Sequence, residues 1–253
     1  MPPPLVFRIA DAHLAALERA GVGDLEGLLR ADVGETVKHA RSHREVRRLE
    51  SDGCTYFLKR VLGDGWKEVV HEAEMLAFLH GRGIPVAEPV AIAAKDAAAA
   101  MVSTSLPGQT TVEKRVIDAP VSLPEQRELA DRIADVLRAL HAAGVNHRDF
   151  YLGHLILADD GSVSVVDFGR AERRRKVPRR RIVKDLAALD FSTPGRVASP
   201  ALRWRFLRRY AGPDATRRTL RRLAAAVRRK SARLRAHAER KLARGDGNVH
   251  VNR

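Results

Sequence analysis

The sequence predicts an α+β protein in two parts: a small β-rich N-terminal lobe, then a helical C-terminal lobe with a basic helical extension. Three observations carry this. Up to Ser103 the order of elements reads β-β-β-α-β-β, with Gly and Asp-Gly turns between them. After the break at SLPG, apolar residues recur at helical spacing. The last 58 residues hold 18 Lys/Arg against 3 Asp/Glu, whereas residues 1–195 hold 28 of each. The expected boundaries are 1–104 for the first lobe, 105–200 for the core of the second and 201–253 for the basic tail, partly packed on it.

In order along the chain, residues 11–20 and 24–30 read as short helices ending at glycines. TVKHARSHREVRRLESDGCTYFLKR reads as strand, loop, strand, a tight Asp52-Gly53 turn and a third strand ending YFLK. GDGWKEVVHEAEMLAFLHGRG is a helix stopping at Gly81. IPVAEPVAIAAKDAAAAMVS gives two more strands, with the AKDAAAA tract as filler at a strand edge. Ser122 and Glu125 form a capping box with Pro124 in the first turn. They open a helix whose stripe is Leu129, Ile133, Val136, Leu137 and Leu140, and it stops at Gly144. HLILA and SVSVVDF are short strands joined by Asp159-Asp160-Gly161. Pro178 keeps the arginines around it extended. The chain ends in an amphipathic helix with Leu220, Leu223, Val227, Leu234 and Leu242 on one side, packed as far as 227 and left open beyond it.

Composition narrows the function classes. With 45% hydrophobic and 30% charged residues the chain folds as a soluble protein. One cysteine, Cys54, excludes an internal disulfide and fits a reducing compartment. No apolar run reaches membrane-helix length, and MPPPLVFRIADAH lacks the basic start of a signal peptide. The expected location is the cytoplasm, with a peripheral position at the inner face of the cytoplasmic membrane open to it. The formal net charge of +15 calls for an anionic partner. Aromatic content of 5% gives few rings to stack bases, which speaks against single-stranded nucleic acid. Without an extended heptad seam, the default is a monomer.

NHRDFYLGHLILADDGSVSVVDFG, residues 146–169, carries the chemistry. Asp149 and Asp167 stand 18 residues apart, at the two ends of one hairpin. H-R-D, five residues to a polar side chain, a hairpin and D-F-G is the layout of a protein-kinase-like catalytic loop and metal-binding turn. The first acid can accept the proton of an attacking hydroxyl, and the second can hold the Mg2+ that bridges ATP phosphates. Such a site needs a lysine on the third strand and a glutamate on the next helix. Lys59 ends TYFLK, and Glu72 shares the apolar face of its helix with Val69, Leu76 and Leu79, while Glu74 faces away. A glutamate on a buried face needs a partner, and Lys59 is the natural one. The fold expected is therefore a bilobal protein-kinase-like one.

At these residues the chain resembles the lipopolysaccharide kinase family, the Kdo and WaaP-type heptose kinases. The match is closest in GVNHRDFYLGHLIL and VVDFGRAERRRKVPRRRIVKDLAALDFST, and looser in YFLKR and GDGWKEV. It runs from about residue 35 to 195. The resemblance implies a bilobal kinase fold that uses ATP and magnesium to phosphorylate sugars of the lipopolysaccharide inner core. By position it makes Asp149 the catalytic base, Asp167 the magnesium ligand, Lys59 and Glu72 the phosphate-positioning pair, and Asp185 an acid bracing the catalytic loop, with His147 in support. His154 stands where protein kinases have asparagine. It is a second metal candidate or, since imidazole suits magnesium poorly, a hydrogen-bonding residue of the loop. The loop KHARSHRE has no glycine, so Arg41, Ser42 and Arg44 become candidate phosphate contacts, a solvated loop being the other reading, and Ser103 and Ser105 join them as nucleotide-binding candidates.

Residues 170–184 carry nine basic groups and one acid, where a kinase's activation segment would run. Guanidinium groups bind phosphate and carboxylate bidentately, which makes Arg175, Arg179 and Arg180 acceptor-binding candidates for an anionic glycoconjugate. The tail could instead lie on an anionic membrane. Two rival readings stand beside the sugar kinase. One is a small bacterial protein kinase with Ser192, Thr193 and Ser199 as autophosphorylation sites. The other is an inactive basic scaffold for nucleic acid or membrane.

Overall fold

The computed structural model describes residues 5–39, 44–108 and 110–244. The chain divides into two compact units, residues 1–106 with 167–169, and residues 107–166 with 170–253.

The first unit is a six-stranded antiparallel sheet with helices packed on it. Its elements are β1 (Val6–Ile9), α1 (Asp11–Arg19), α2 (Leu25–Arg30), β2 (Glu35–His39), β3 (Arg44–Ser51), β4 (Cys54–Leu62), α3 (Trp66–His80), β5 (Pro89–Lys95) and β6 (Ala98–Thr104). The sheet order is β1-β5-β6-β4-β3-β2. Alternation along β4 sends Tyr56 and Leu58 into a core with Leu17, Val22, Leu28, Leu49 and Val102. Arg60, on the same face, donates to the carbonyls of Gly27, Leu28 and Ala31 at 2.6–2.9 Å and so caps the end of α2.

Three expectations for this unit are corrected. β1 was not foreseen and pairs with β5 from Val6↔Ala94 to Ile9↔Ala91. A single strand of four residues next to a triple-proline start gives too short a pattern to read. The alanine tract is not edge filler: Ala93, Ala94, Ala99 and Ala100 are buried in β5 and β6, interior strands of the sheet. Small side chains there allow helix and sheet to approach closely. α2 closes at Ala31 in an extended conformation instead of at a glycine.

The second unit holds β7 (Thr110–Thr111), α4 (Val112–Asp118), α5 (Leu123–Ala142), β8 (Val145–Asn146), β9 (Leu155–Leu157), β10 (Val163–Val165), β11 (Glu172–Arg173), α6 (Arg179–Ser192), α7 (Pro200–Ala211) and α8 (Arg217–Ala243). The capping box acts at α5, where Ser122 Oγ accepts from the Glu125 amide. The Glu125 carboxylate does not reach back but pairs with Arg115 at 2.6 Å. β9 and β10 form the antiparallel hairpin between the two motif aspartates, and β7 adds to its β9 edge. α4 and the two-residue strands were missed because two helical turns, or a single alternation, repeat a pattern too few times to reveal it.

The basic helices are part of this unit. In α8 the buried positions are Leu220, Leu223, Val227, Ser231 and Ala238, steps that follow the helical period past residue 227. Leu242, on the same side of the helix but in the stretch left open by the sequence, is exposed one residue before α8 ends at Ala243. Two bidentate pairs, Arg205–Asp131 at 2.5–2.9 Å and Arg209–Asp135 at 2.6–2.8 Å, fasten α7 to α5. Arg203 pairs with Asp190 of α6, and Arg235 of α8 donates to the Asp190 carbonyl at 3.0 Å.

Candidate active site

In the first unit, pleating places Lys59 on the face of β4 opposite Leu58, and its ammonium pairs with the carboxylate of Glu72 on α3. Glu72 is buried and Lys59 partly so, while Glu74 is exposed as the helical period requires. The turn Asp167–Gly169 belongs to this unit. A Cβ at Gly169 would stand 3.5 Å from Oε2 of Glu72 and 3.9 Å from Oδ1 of Asp167, so the turn runs directly past the ion pair. Asp167 adopts φ 68°, a left-handed conformation that a side-chain-bearing residue keeps only where its surroundings enforce it. Arg44 is paired with Glu68 of α3 at 2.6 Å. Ser103 is buried in β6. Ser105 follows the strand, its amide on the Thr55 carbonyl at 2.8 Å. Arg41 and Ser42 lie outside the described residues.

In the second unit, the loop after β8 is organised by Asp185 of α6. This fully buried carboxylate accepts from the main-chain amides of His147 and Arg148, both at 2.8 Å. Its Oδ2 also lies 3.1 Å from Nε2 of His141. His141 Nδ1 is 2.6 Å from the Tyr210 hydroxyl. Burial, aided by the Asp185 charge, pushes the Tyr210 hydroxyl well above its usual range. Tyr210 therefore keeps its proton, and His141 bridges its hydroxyl to the Asp185 carboxylate. A hydrogen-bonded line thus runs from α7 through α5 and α6 into the catalytic loop. Asp185 sits in the second turn of its helix, away from the N-terminal position where a dipole alone would account for it.

The loop itself is strained and pinned. Arg148 adopts φ 74° and donates to Glu172 at 3.0 Å. His147 donates through Nε2 to the Val166 carbonyl at 3.0 Å, which ties the loop to the far end of the hairpin. His154 donates through Nδ1 to the main-chain carbonyl of Asp149 at 2.7 Å, which gives it a role inside the loop. Asp149 accepts from Arg170 at 2.9 Å through Oδ2, and its carboxylate is partly exposed. Tyr151 packs edge-on against His154 and Phe191. Its hydroxyl is raised by burial and then by the charge of Asp149.

Arg175, Arg179 and Arg180 are exposed. Their backbone corrects an expectation: Arg179 and Arg180 form the first turn of α6 and are not extended. Pro178 is the N-cap, its carbonyl accepting from Arg181 at 2.8 Å, and a helix start needs no amide from its proline. Three arginines, Arg148, Arg174 and Arg181, converge on Glu172 at 3.0–3.3 Å. Glu172 and Arg170 were not among the expected site residues. The signal for Glu172 was there, since it is the single acid of the basic block. The hydroxyls of Ser192, Thr193 and Ser199 are engaged within the unit: Ser192 and Thr193 donate to the Leu189 carbonyl, and Ser199 caps α7.

Magnesium fits the residues present. Asp167 offers the hard oxygen donors the ion takes. Magnesium bound with ATP needs only one or two protein carboxylates beside the phosphate oxygens.

A model of the lipopolysaccharide kinase (Kdo/WaaP) family matches residues 64–210. The lipopolysaccharide core heptose(I) kinase WaaP of Pseudomonas aeruginosa is 32% identical over 196 residues, covering 66% of this chain and 73% of its own. The enzyme of the same description from Escherichia coli K12 is 29% identical over 208 residues, covering 71% and 78%. The crystal structure of an aminoglycoside-3'-phosphotransferase of type VIII matches with a TM-score of 0.55 at 19% identity, covering 76% of this chain and 92% of its own. That last likeness is one of fold.

Proposed function

The chain belongs to the lipopolysaccharide kinase (Kdo/WaaP) family and is an ATP-dependent kinase, and we propose that its acceptor is a sugar hydroxyl of the lipopolysaccharide inner core, a heptose by analogy with its relatives. The observation that carries the site assignment is that both halves of the motif set are built. Lys59 is paired with buried Glu72, and the Asp149 loop is held by the buried Asp185 carboxylate.

In this reading Lys59 contacts the ATP phosphates and Glu72 fixes its ammonium. Asp149 orients the acceptor hydroxyl and takes its proton as the γ-phosphoryl group transfers. Its carboxylate is positioned by Arg170 and by the His154 hydrogen bond to its own carbonyl. Asp167 would hold magnesium, which when bound neutralises charge on the phosphate oxygens. The basic first turn of α6 faces an anionic acceptor, at the inner surface of the cytoplasmic membrane where lipopolysaccharide is assembled. No helix among the described residues is long and apolar enough to cross a membrane.

The test uses γ-labelled ATP, magnesium and a dephosphorylated envelope extract, with wild type compared with Asp149→Asn and glycolipid resolved from protein. Label in glycolipid that disappears with Asp149→Asn is expected. Label in protein alone would replace the sugar acceptor by a protein one.

A further inference from the structure

Four cationic side chains, Arg180, Arg181 and Lys184 of α6 and Lys230 of α8, line one open pocket of about 270 Å³ in the second unit. They are unequal. Arg181 is spoken for by Glu172. Among the described residues, Arg180, Lys184 and Lys230 make no ion pair or side-chain hydrogen bond. Lys184 and Lys230 are half-buried, so water answers their charges incompletely. Like charges gathered in one concavity repel, and elsewhere this unit pairs its arginines with carboxylates at contact distance, as at Asp131, Asp135, Glu172 and Asp190. Here no carboxylate is at contact distance from Arg180, Lys184 or Lys230 among the described residues, and Asp149 and Asp185 act on Lys184 only through space.

The location gives the pocket a purpose. Burial pushes the Lys184 ammonium below its ordinary range, with Asp149 opposing and Arg148 and Arg170 reinforcing the shift. Lys184 is therefore within electrostatic reach of the catalytic base. Lys184 also directly precedes Asp185, the residue that holds the catalytic loop. α6 thus braces the loop with one residue and presents a cation to the pocket with the residue before it. Lys230 comes from the basic terminal helix, which gives that helix a part in the site beyond packing.

We infer that this pocket is an anion subsite, in which Arg180, Lys184 and Lys230 hold a carboxylate or phosphate carried by the acceptor glycan while Asp149 addresses its hydroxyl. The inference rests on the sugar-kinase reading for the identity of the acceptor, and the pocket's cations stand independently of it. Two ammonium groups and one guanidinium fork recognise charge more than shape, so the subsite requires an anion on the acceptor and tolerates either chemistry.

The experiment uses the full chain with two probes: de-acylated lipopolysaccharide core oligosaccharide, and the same oligosaccharide with carboxylates reduced and phosphates removed. Steady-state kinetics and calorimetric binding are measured for wild type, Lys184→Ala, Lys184→Arg, Lys230→Ala, and Lys241→Ala as an exposed control on α8. Each alanine change in the pocket is expected to raise KM and Kd for the anionic oligosaccharide about tenfold, with Lys184→Arg restoring much of the loss. KM for ATP and the Lys241→Ala values hold. The preference for the anionic over the neutral probe shrinks by the same factor. Phosphorylation with no change in that preference overturns the subsite and leaves the kinase reading intact. Binding of the anionic probe that depends on both lysines, without phosphorylation, keeps the subsite and overturns the acceptor assignment. If the wild type neither binds nor phosphorylates the anionic probe, both fall. An equal loss on both probes reduces the lysines to a structural role and also overturns the inference.

Discussion

Lys59 and Glu72 show what one ion pair decides at the residue scale. Glu72 is buried on the packed face of α3, so its charge is tolerable only beside Lys59. Replacing the lysine leaves an unpaired buried carboxylate, worth about 3 kcal/mol of stability, and removes the phosphate contact. Lys59→Met is expected to lower kcat/KM for ATP at least about 100-fold, whereas Glu72→Gln with Lys59 intact loses less stability; thermal melts beside ATP kinetics check both. Asp185 makes a similar case without touching a reactant. Its removal leaves two loop amides and His141 without their acceptor. Asp185→Ala is expected to cost about 3 kcal/mol, roughly 10 °C in Tm, with kcat falling more than KM for ATP. Tyr210→Phe, one link further out, should cost about 1 kcal/mol and leave KM for ATP unchanged. A Tyr210→Phe variant as damaged as Asp185→Ala would show that the line from α7 matters more than its last link.

At the scale of elements, the second unit depends on where helices stop and how they are fastened. α5 ends before Gly144, whose φ is 81° and whose carbonyl accepts from Arg174 at 2.8 Å. A Cβ there would lie 2.0 Å from the Arg174 carbonyl oxygen. Gly144→Ala is therefore expected to destabilise by about 2 kcal/mol and to displace the β8–β11 pair that leads into the catalytic loop. Chemical denaturation and activity should fall together, and a variant of normal stability would contradict the placement. α7 is held to α5 by carboxylates, and this is pH-dependent. Arg209 holds Asp135 below its ordinary value. A depressed folded-state pKa contributes stability that is fully present above the unfolded value, near 4, and is lost as pH falls through the lower folded value. The acid limb of the stability curve should be shallower in Asp135→Asn, measured by urea midpoints between about pH 5 and pH 2.

Across the whole molecule, charge is the dominant feature. The excess of +15 resides in the last 58 residues, yet α8 is no loose tail, since Ser231 and Ala238 are buried well beyond Val227. The basic surface is thus carried largely on helices packed within the second unit. Association with an anionic acceptor should weaken as salt screens that surface, with KM for de-acylated core oligosaccharide rising several-fold from about 50 mM to about 300 mM NaCl. An acceptor KM indifferent to salt would mean that the excess charge plays no part in recognition.

What the sequence determined by itself follows from local periodicity and fixed spacing. The β-β-β-α-β-β order from β2 to β6, the capped α5, the hairpin between Asp149 and Asp167, and the pairing of Lys59 with Glu72 were all legible. Each rests on a period of 2 or 3.6 sustained over several residues, or on a charge that could not stay buried unpaired. Tertiary structure alone decided the rest. Arg148, Arg174 and Arg181 could have paired with many acids, and only folding gathers them on Glu172. His141 and Tyr210 carry no motif, and they become a support for the catalytic loop because three helices bring them to Asp185. Lys184 and Lys230 stand 46 residues apart, and nothing in their spacing places them in one pocket. Long-range pairing among many chemically equivalent arginines is degenerate in sequence. The packing of helices on one another removes that degeneracy.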